Sequence, residues 1–147
     1  MNYTTLGHTN LRVSVAGLGT GGFSRLGQRA GKSEDESARL ILDAVGLGIN
    51  FIDTAPSYGT EGLVGRALKS IPRQSVVVAT KAAVHRNGDW WSPERVVASL
   101  DNSLSLMGTD YVDVFNLHGV EAPEYDYALQ TIGPALLKQK AKGKIRH

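Results

Sequence analysis

Apolar residues recur along the chain in two alternating rhythms, short unbroken runs and helical stripes. Tyr3-Thr4-Thr5 and Leu11-Arg12-Val13 flank the turn-forming Gly7-His8-Thr9-Asn10, which predicts a small β-hairpin. Residues 15–18 form a short apolar run leading into glycines, the pattern of a brief strand. Ser33-Glu34-Asp35-Glu36 has the spacing of a capping box. Ala38, Ile41, Leu42 and Val45 follow as one helical stripe that ends at Gly48. The run 49–52 predicts a buried strand ending on Asp53, and Leu63, Val64, Ala67 and Leu68 mark a second helix over about 60–70. Residues 76–79 read as the next buried strand, ending at Thr80-Lys81. Ser92-Pro93 places a cap before a proline suited to a first helical turn. Val97, Leu100, Leu104 and Met107 give that third helix its buried face, with Gly108 as its stop. Residues 111–117 predict a fourth strand ending in His118. Pro134 opens a fourth helix closed by Gly143, and Lys144-Ile145-Arg146 begins a fifth strand.

Strand and helix alternate four times, so a parallel sheet with helical crossovers is the economical reading, in one βα-repeat domain over 1–147. A strand buried inside such a sheet gains nothing from ending on charged groups, yet three successive strands finish on Asp53, Lys81 and His118. Tyr58 follows Asp53 in a Pro/Gly turn. The ends of parallel strands share one rim, where α/β folds place chemistry. A lysine near a phenol stabilises phenolate, and a carboxylate beside that lysine keeps it charged and oriented. A nearby histidine can donate a hydrogen bond to a substrate oxygen. The tyrosine then qualifies as a general acid for a carbonyl receiving a hydride.

With these residues the chain resembles the N-terminal portion of the aldo-keto reductase family, from the hairpin around Gly7 to the end of the chain. Asp53-Thr54-Ala55 followed after five residues by Glu61-Gly62-Leu63-Val64-Gly65 is the most specific piece, with Thr80-Lys81 and Asn116-Leu117-His118 as further signals. Ile49-Asn50 departs from the aromatic and arginine of many members and reads as subfamily variation. The resemblance implies an α/β fold, the N-terminal part of a (β/α)8 TIM barrel with about four βα units. It implies a nicotinamide cofactor, NADP(H) more than NAD(H), and interconversion of small-molecule carbonyls and alcohols. Carried over position by position, Tyr58 is the acid/base, Lys81 its charged partner, Asp53 the anchor of that lysine, and His118 the group that orients the carbonyl. The first loop, with Thr20, Gly21 and Gly22, and Asp53 would border the cofactor.

Composition narrows the rest. A formal net charge of +2 lacks the clustered basic footprint of a nucleic-acid protein, and the absence of cysteine excludes disulfides and thiolate metal sites. Asp53 and His118 have no third ligand near them, so no metal is expected. No run approaches the roughly 18 apolar residues of a membrane span, and Met1 to Gly7 resembles no leader, so a cytoplasmic protein is expected. Gly17-Leu18-Gly19-Thr20-Gly21-Gly22 matches the dinucleotide fingerprint, but no helix opens behind it and Asp53 lies 31 residues past Gly22. The expected separation is about twenty, which disfavours a Rossmann module. Trp90 and Trp91 can wall a substrate pocket or pack under their loop, and the basic residues from Lys138 to Arg146 suit a helix C-terminus and solvent. Glu121, Glu124 and Asp126, in the loop after His118, weakly disfavour an anionic ligand.

A (β/α)8 barrel takes about 250 residues. A chain of 147 residues therefore reads as a truncated barrel, with exposed sheet edges that invite self-association. A non-catalytic half-barrel that pairs with itself or another chain is the second functional reading.

Overall fold

The structure, a computed structural model, describes residues 1–147. An antiparallel hairpin of β1 (Tyr3–Thr5) and β2 (Arg12–Ser14) comes first. Three parallel strands follow, β3 (Leu18–Gly19), β4 (Phe51–Asp53) and β5 (Val77–Ala83). A small antiparallel hairpin, β6 (His85–Arg86) with β7 (Asp89–Trp90), stands beyond β5, and β8 (Val114–His118) completes a sheet of order β3-β4-β5-β8. The crossovers are α1 (Glu34–Gly46), α2 (Glu61–Leu68) and α3 (Pro93–Met107). After β8 come α4 (Tyr125–Tyr127), a π turn (Ala128–Ile132) and α5 (Gly133–Ala141). Neighbouring helices α1, α2, α3 and α5 touch in the same order as the strands they serve, so they form one layer against one face of the sheet.

Local chemistry sets the helix boundaries. The Ser33 side chain accepts from the Glu36 N–H while Glu36 accepts from the Ser33 N–H at 2.8 Å, the reciprocal box the sequence predicts. Ser92 caps α3 ahead of Pro93, and Gly108 closes it at φ 61°. The core lies between sheet and helices, with Ile41, Ile52, Val64, Val78, Leu100 and Met107 almost fully buried. Each such side chain contributes about 1.5–3 kcal/mol on leaving water. The buried stripe of α3 includes Val96, where the periodicity points to Val97; Val96 belongs to a second cluster with Ala82, Val84, Ala128 and Ile132.

Several boundaries differ from the predicted ones. Val15 is 62% exposed and its N–H extends the hairpin to the Asn2 carbonyl, so the first parallel strand begins only at Leu18. Ile49 and Asn50 precede β4. The Asn50 side chain accepts from the Ser14 N–H at 2.6 Å and donates to the Arg12 carbonyl at 2.9 Å, which ties the hairpin to the foot of the sheet. Tyr3 adds a bond to the Gly48 carbonyl there. The hairpin thus sits at the opposite end of the sheet from Asp53.

Strand β5 runs past Lys81 to Ala83 because its pairing with β8 continues as far as Ala83 opposite His118. Helical structure begins at Tyr125 rather than Pro134. Proline has no N–H and its ring crowds the preceding turn, and the π turn absorbs it, with the Gly133 N–H reaching back to Ala128. The predicted fifth strand is present as a parallel bridge of Ile145 to Val112, and the His147 N–H donates to the Asp113 carbonyl. In the basic segment Lys144 pairs with Asp101 and Arg146 with Asp113.

Candidate active site

Alternation along the strands decides which side chains share a face. Thr80 points to the helix layer, where its hydroxyl donates to the buried Glu61 carboxylate at 2.6 Å, so Lys81 must point the other way. Register then staggers the rim. Asp53 pairs with Ala79, Lys81 stands two residues further along β5 opposite Asn116, and His118 stands two further again opposite Ala83. Asp53, Lys81 and His118 therefore climb the inner face as a staircase, the stagger that a barrel's shear requires.

The four residues singled out for proton donation come together. The Lys81 Nζ donates to Asp53 Oδ1 at 2.6 Å, to Asp53 Oδ2 at 2.7 Å and to the Thr54 carbonyl at 2.9 Å, which uses all three of its protons. Tyr58 sits at the end of a 3-10 turn (Pro56–Tyr58) that Gly59 closes at φ 69°, a conformation glycine adopts without strain. Its ring centroid lies 5.0 Å from Lys81 Nζ and 5.7 Å from the His118 imidazole, which meets it edge-on at 89°. His118 is held below its ordinary value of 6.5, first by burial, then by the Lys81 charge. Asp53 opposes that shift and Arg86 adds to it. The imidazole is neutral at neutral pH, able to donate one N–H to an oxygen without carrying charge.

The first loop has a different layout from its sequence reading. The Thr20 hydroxyl is fully buried, 2.8 Å from that of Thr60, which in turn lies 3.3 Å from Thr54, so it joins β3, β4 and the start of α2 from the inside. Gly21 packs against the phenol ring: a Cβ there would lie 2.5 Å from Tyr58. Gly22 is exposed with open space about it. Gly21, Gly22 and Asp53 thus offer backbone and carboxylate at the rim, whereas Thr20 offers neither.

The two tryptophans separate. Trp91 lines a pocket with Ser57, Lys81, Arg86, Ser99 and His118. Trp90 is 45% exposed and packs against His85 at 5.1 Å, tilted by 42°, and edge-on against Tyr127 at 4.9 Å, which pins β6–β7 to α4. His85 also meets Glu124 at 3.0 Å. Two contributors left no signal in the sequence. Thr54 acts through its carbonyl, a group every residue has. Arg86 becomes a neighbour of His118 only because β5 extends upward into β6.

A profile of the aldo/keto reductase family matches residues 17–147. The chain is 40% identical to L-galactose dehydrogenase of Arabidopsis thaliana, over 96% of this chain and 45% of that protein. It is 33% identical to the NADH-specific methylglyoxal reductase of Escherichia coli, over 99% of this chain and 50% of that protein. An aldo-keto reductase of Bacillus halodurans, solved in its holo form, superposes with a TM-score of 0.81 at 31% identity, covering 100% of this chain and 49% of that one. The chain spans about half the length of these relatives.

Proposed function

This chain belongs to the aldo/keto reductase family, with the fold of the N-terminal part of a (β/α)8 barrel, and on that premise we propose that its rim carries the carbonyl-reducing site of a nicotinamide-dependent oxidoreductase. The observation that carries the reading is the convergence of Lys81, Asp53, Tyr58 and His118 on one face at the strands' C-terminal ends. A reduced nicotinamide, when bound at this rim, would supply the hydride for the carbonyl carbon. The Tyr58 hydroxyl makes no hydrogen bond within the chain and gives its proton to the carbonyl oxygen, leaving a phenolate that solvent reprotonates. The Lys81 ammonium favours that phenolate, Asp53 and Thr54 hold the ammonium in place, and the neutral imidazole of His118 donates to the same oxygen. Oxidation of an alcohol runs the same steps backwards.

The residues present fit the reactive end of such a cofactor. Gly21 lets the Tyr58 ring rest on its backbone, Gly22 has open space about it, and Asp53, about a third exposed, keeps lone pairs free for a ribose hydroxyl. The resemblance favours the phosphorylated cofactor, whereas one relative is named for NADH. Thermal shift with NADPH and with NADH separates the two. In an assay of small aldehydes, methylglyoxal among them, Tyr58→Phe is expected to lose about 100-fold or more in turnover. Undiminished turnover would overturn the acid/base role.

A second reading, self-association, draws on an apolar groove beside the fifth-strand segment. Phe115 and Ile145 line it, together with Leu129 and Leu137, which are 61% and 66% exposed. A stable monomer by native mass, together with cofactor-dependent turnover, would exclude it.

A further inference from the structure

The pocket beside Lys81 and His118 has a cation at its mouth that nothing in the chain neutralises. Arg86 stands on β6 and is exposed. Its cross-strand partner in register is Asp89, but the Asp89 carboxylate is taken by Arg95 on α3. Arg39 has Asp43, Arg66 has Glu34 and Asp35, and Arg73 and Arg146 share Asp113, while Arg12, Arg25 and Arg29, which do not line this pocket, lack a carboxylate partner. Arg86 has none. It nonetheless lines the same pocket as Ser57, Lys81, Trp91 and His118, and no carboxylate lines that pocket. Its charge makes the smallest of the contributions that lower His118's proton affinity, behind burial and Lys81.

Of the acidic residues that argued against an anionic ligand, Glu121 and Glu124 are engaged elsewhere, and Asp126 is exposed and does not line this pocket. Glu124 is buried, with one oxygen 3.0 Å from His85 Nδ1 and the other accepting the Glu121 N–H at 3.1 Å. The Glu121 side chain caps the short 3-10 turn Ala122–Glu124. Asp53 is already matched by Lys81. The mouth is therefore net positive, and the positive group is held by a hairpin that Trp90 clamps between His85 and Tyr127.

We propose that Arg86 is a specificity-determining anion anchor, and that the substrates of this site are carbonyl compounds bearing a carboxylate a few bonds from the reacting carbon. The proposal rests on the reading of Tyr58, Lys81 and His118 as the carbonyl-reducing site. A guanidinium presents a planar pair of donors that matches a carboxylate, and one free positive charge balances one negative charge. Bound there, the carboxylate directs the ketone or aldehyde end inward past Trp91 toward His118 and Tyr58.

Equilibrium binding tests this without requiring turnover. The probes are levulinate, a keto acid, and its neutral methyl ester, titrated into the full chain with the His118 and Trp91 ring signals followed by NMR. Levulinate is expected to bind about fivefold more tightly than the ester, the size of one partly exposed ion pair. Arg86→Met should bring the ratio to about one, and Arg86→Lys should retain part of it. Equal affinities in the unaltered chain, a preference that survives in Arg86→Met, or no response of either signal to levulinate would each overturn the proposal. Tyr58→Phe separates it from the catalytic reading. That variant should keep the levulinate preference, and if it also kept full turnover, the acid/base assignment would fall while the anchor stood.

Discussion

Lys81 donates to both carboxylate oxygens of Asp53, at 2.6 and 2.7 Å, although Lys81 stands two residues further along the sheet than the position Asp53 pairs with. The long lysine side chain spans the step that barrel stagger creates. Its side chain is only 13% exposed, so the pair is partly withdrawn from water and holds the ammonium beneath Tyr58.

Lys81→Met should therefore cost stability as well as chemistry. It leaves the Asp53 carboxylate without its partner, at about 1–3 kcal/mol, toward the low end because solvent still reaches Asp53. Asp53→Asn should cost less, since the Thr54 carbonyl continues to hold the ammonium. Urea unfolding of the two variants checks the order. A larger loss in Asp53→Asn would contradict it.

Gly21 and Tyr58 should behave as a coupled pair. A Cβ at Gly21 would sit 2.5 Å from the phenol ring, so Gly21→Ala must push the ring away from Lys81 and His118. In a double-mutant cycle, Gly21→Ala should destabilise the protein with tyrosine at 58 and do little with Tyr58→Ala. Additive effects would show that the ring does not rest on this glycine.

The pH dependence follows from His118. Its folded value lies below 6.5, so the unfolded chain binds the proton more readily. The contribution to stability is fully present above about pH 6.5 and is lost as pH falls from there through the lower folded value. Melting temperature should accordingly drop on acidification from pH 7 to pH 5, and His118→Gln should flatten that part of the curve. Removing the Arg86 charge should raise the His118 titration, readable by NMR.

Two glycines of α2 should respond in opposite directions to alanine. At Gly65 a Cβ would meet the Leu106 carbonyl at 2.5 Å and the Met107 backbone at 2.9 Å, so α2 and α3 would have to separate, at about 1–3 kcal/mol. At Gly62 nothing lies within 4 Å, and Gly62→Ala should stabilise the helix by roughly 0.5 kcal/mol. Thermal melts of both variants decide the matter. Destabilisation at Gly62 equal to that at Gly65 would remove the packing argument.

Local chemistry carried much of the architecture in the sequence. The Ser33 and Ser92 caps, the stop at Gly108 and the alternation of strand and helix depend on neighbours within a few residues, and the structure has them where the pattern put them. The π turn at Pro134 escaped, because a proline that usually opens a helix is here absorbed inside one. Asn50 escaped as well: as a departure from a family pattern it read as neutral, yet its amide anchors the hairpin 36 residues away.

By itself the sequence determined which chemical groups lie toward the C-terminal ends of the strands and which of them share a face, since the 2-residue alternation is a local property. The tertiary structure decided how those groups meet. Pairing of β5 with β8 carried β5 on to Ala83, and register set the staircase of Asp53, Lys81 and His118. The same extension raised Arg86 to the mouth of the pocket, while Asp89 and Glu124 were turned to other partners. Register and the choice of ion-pair partner depend on contacts between residues far apart in the chain, and a one-residue slip would face every one of these side chains the other way.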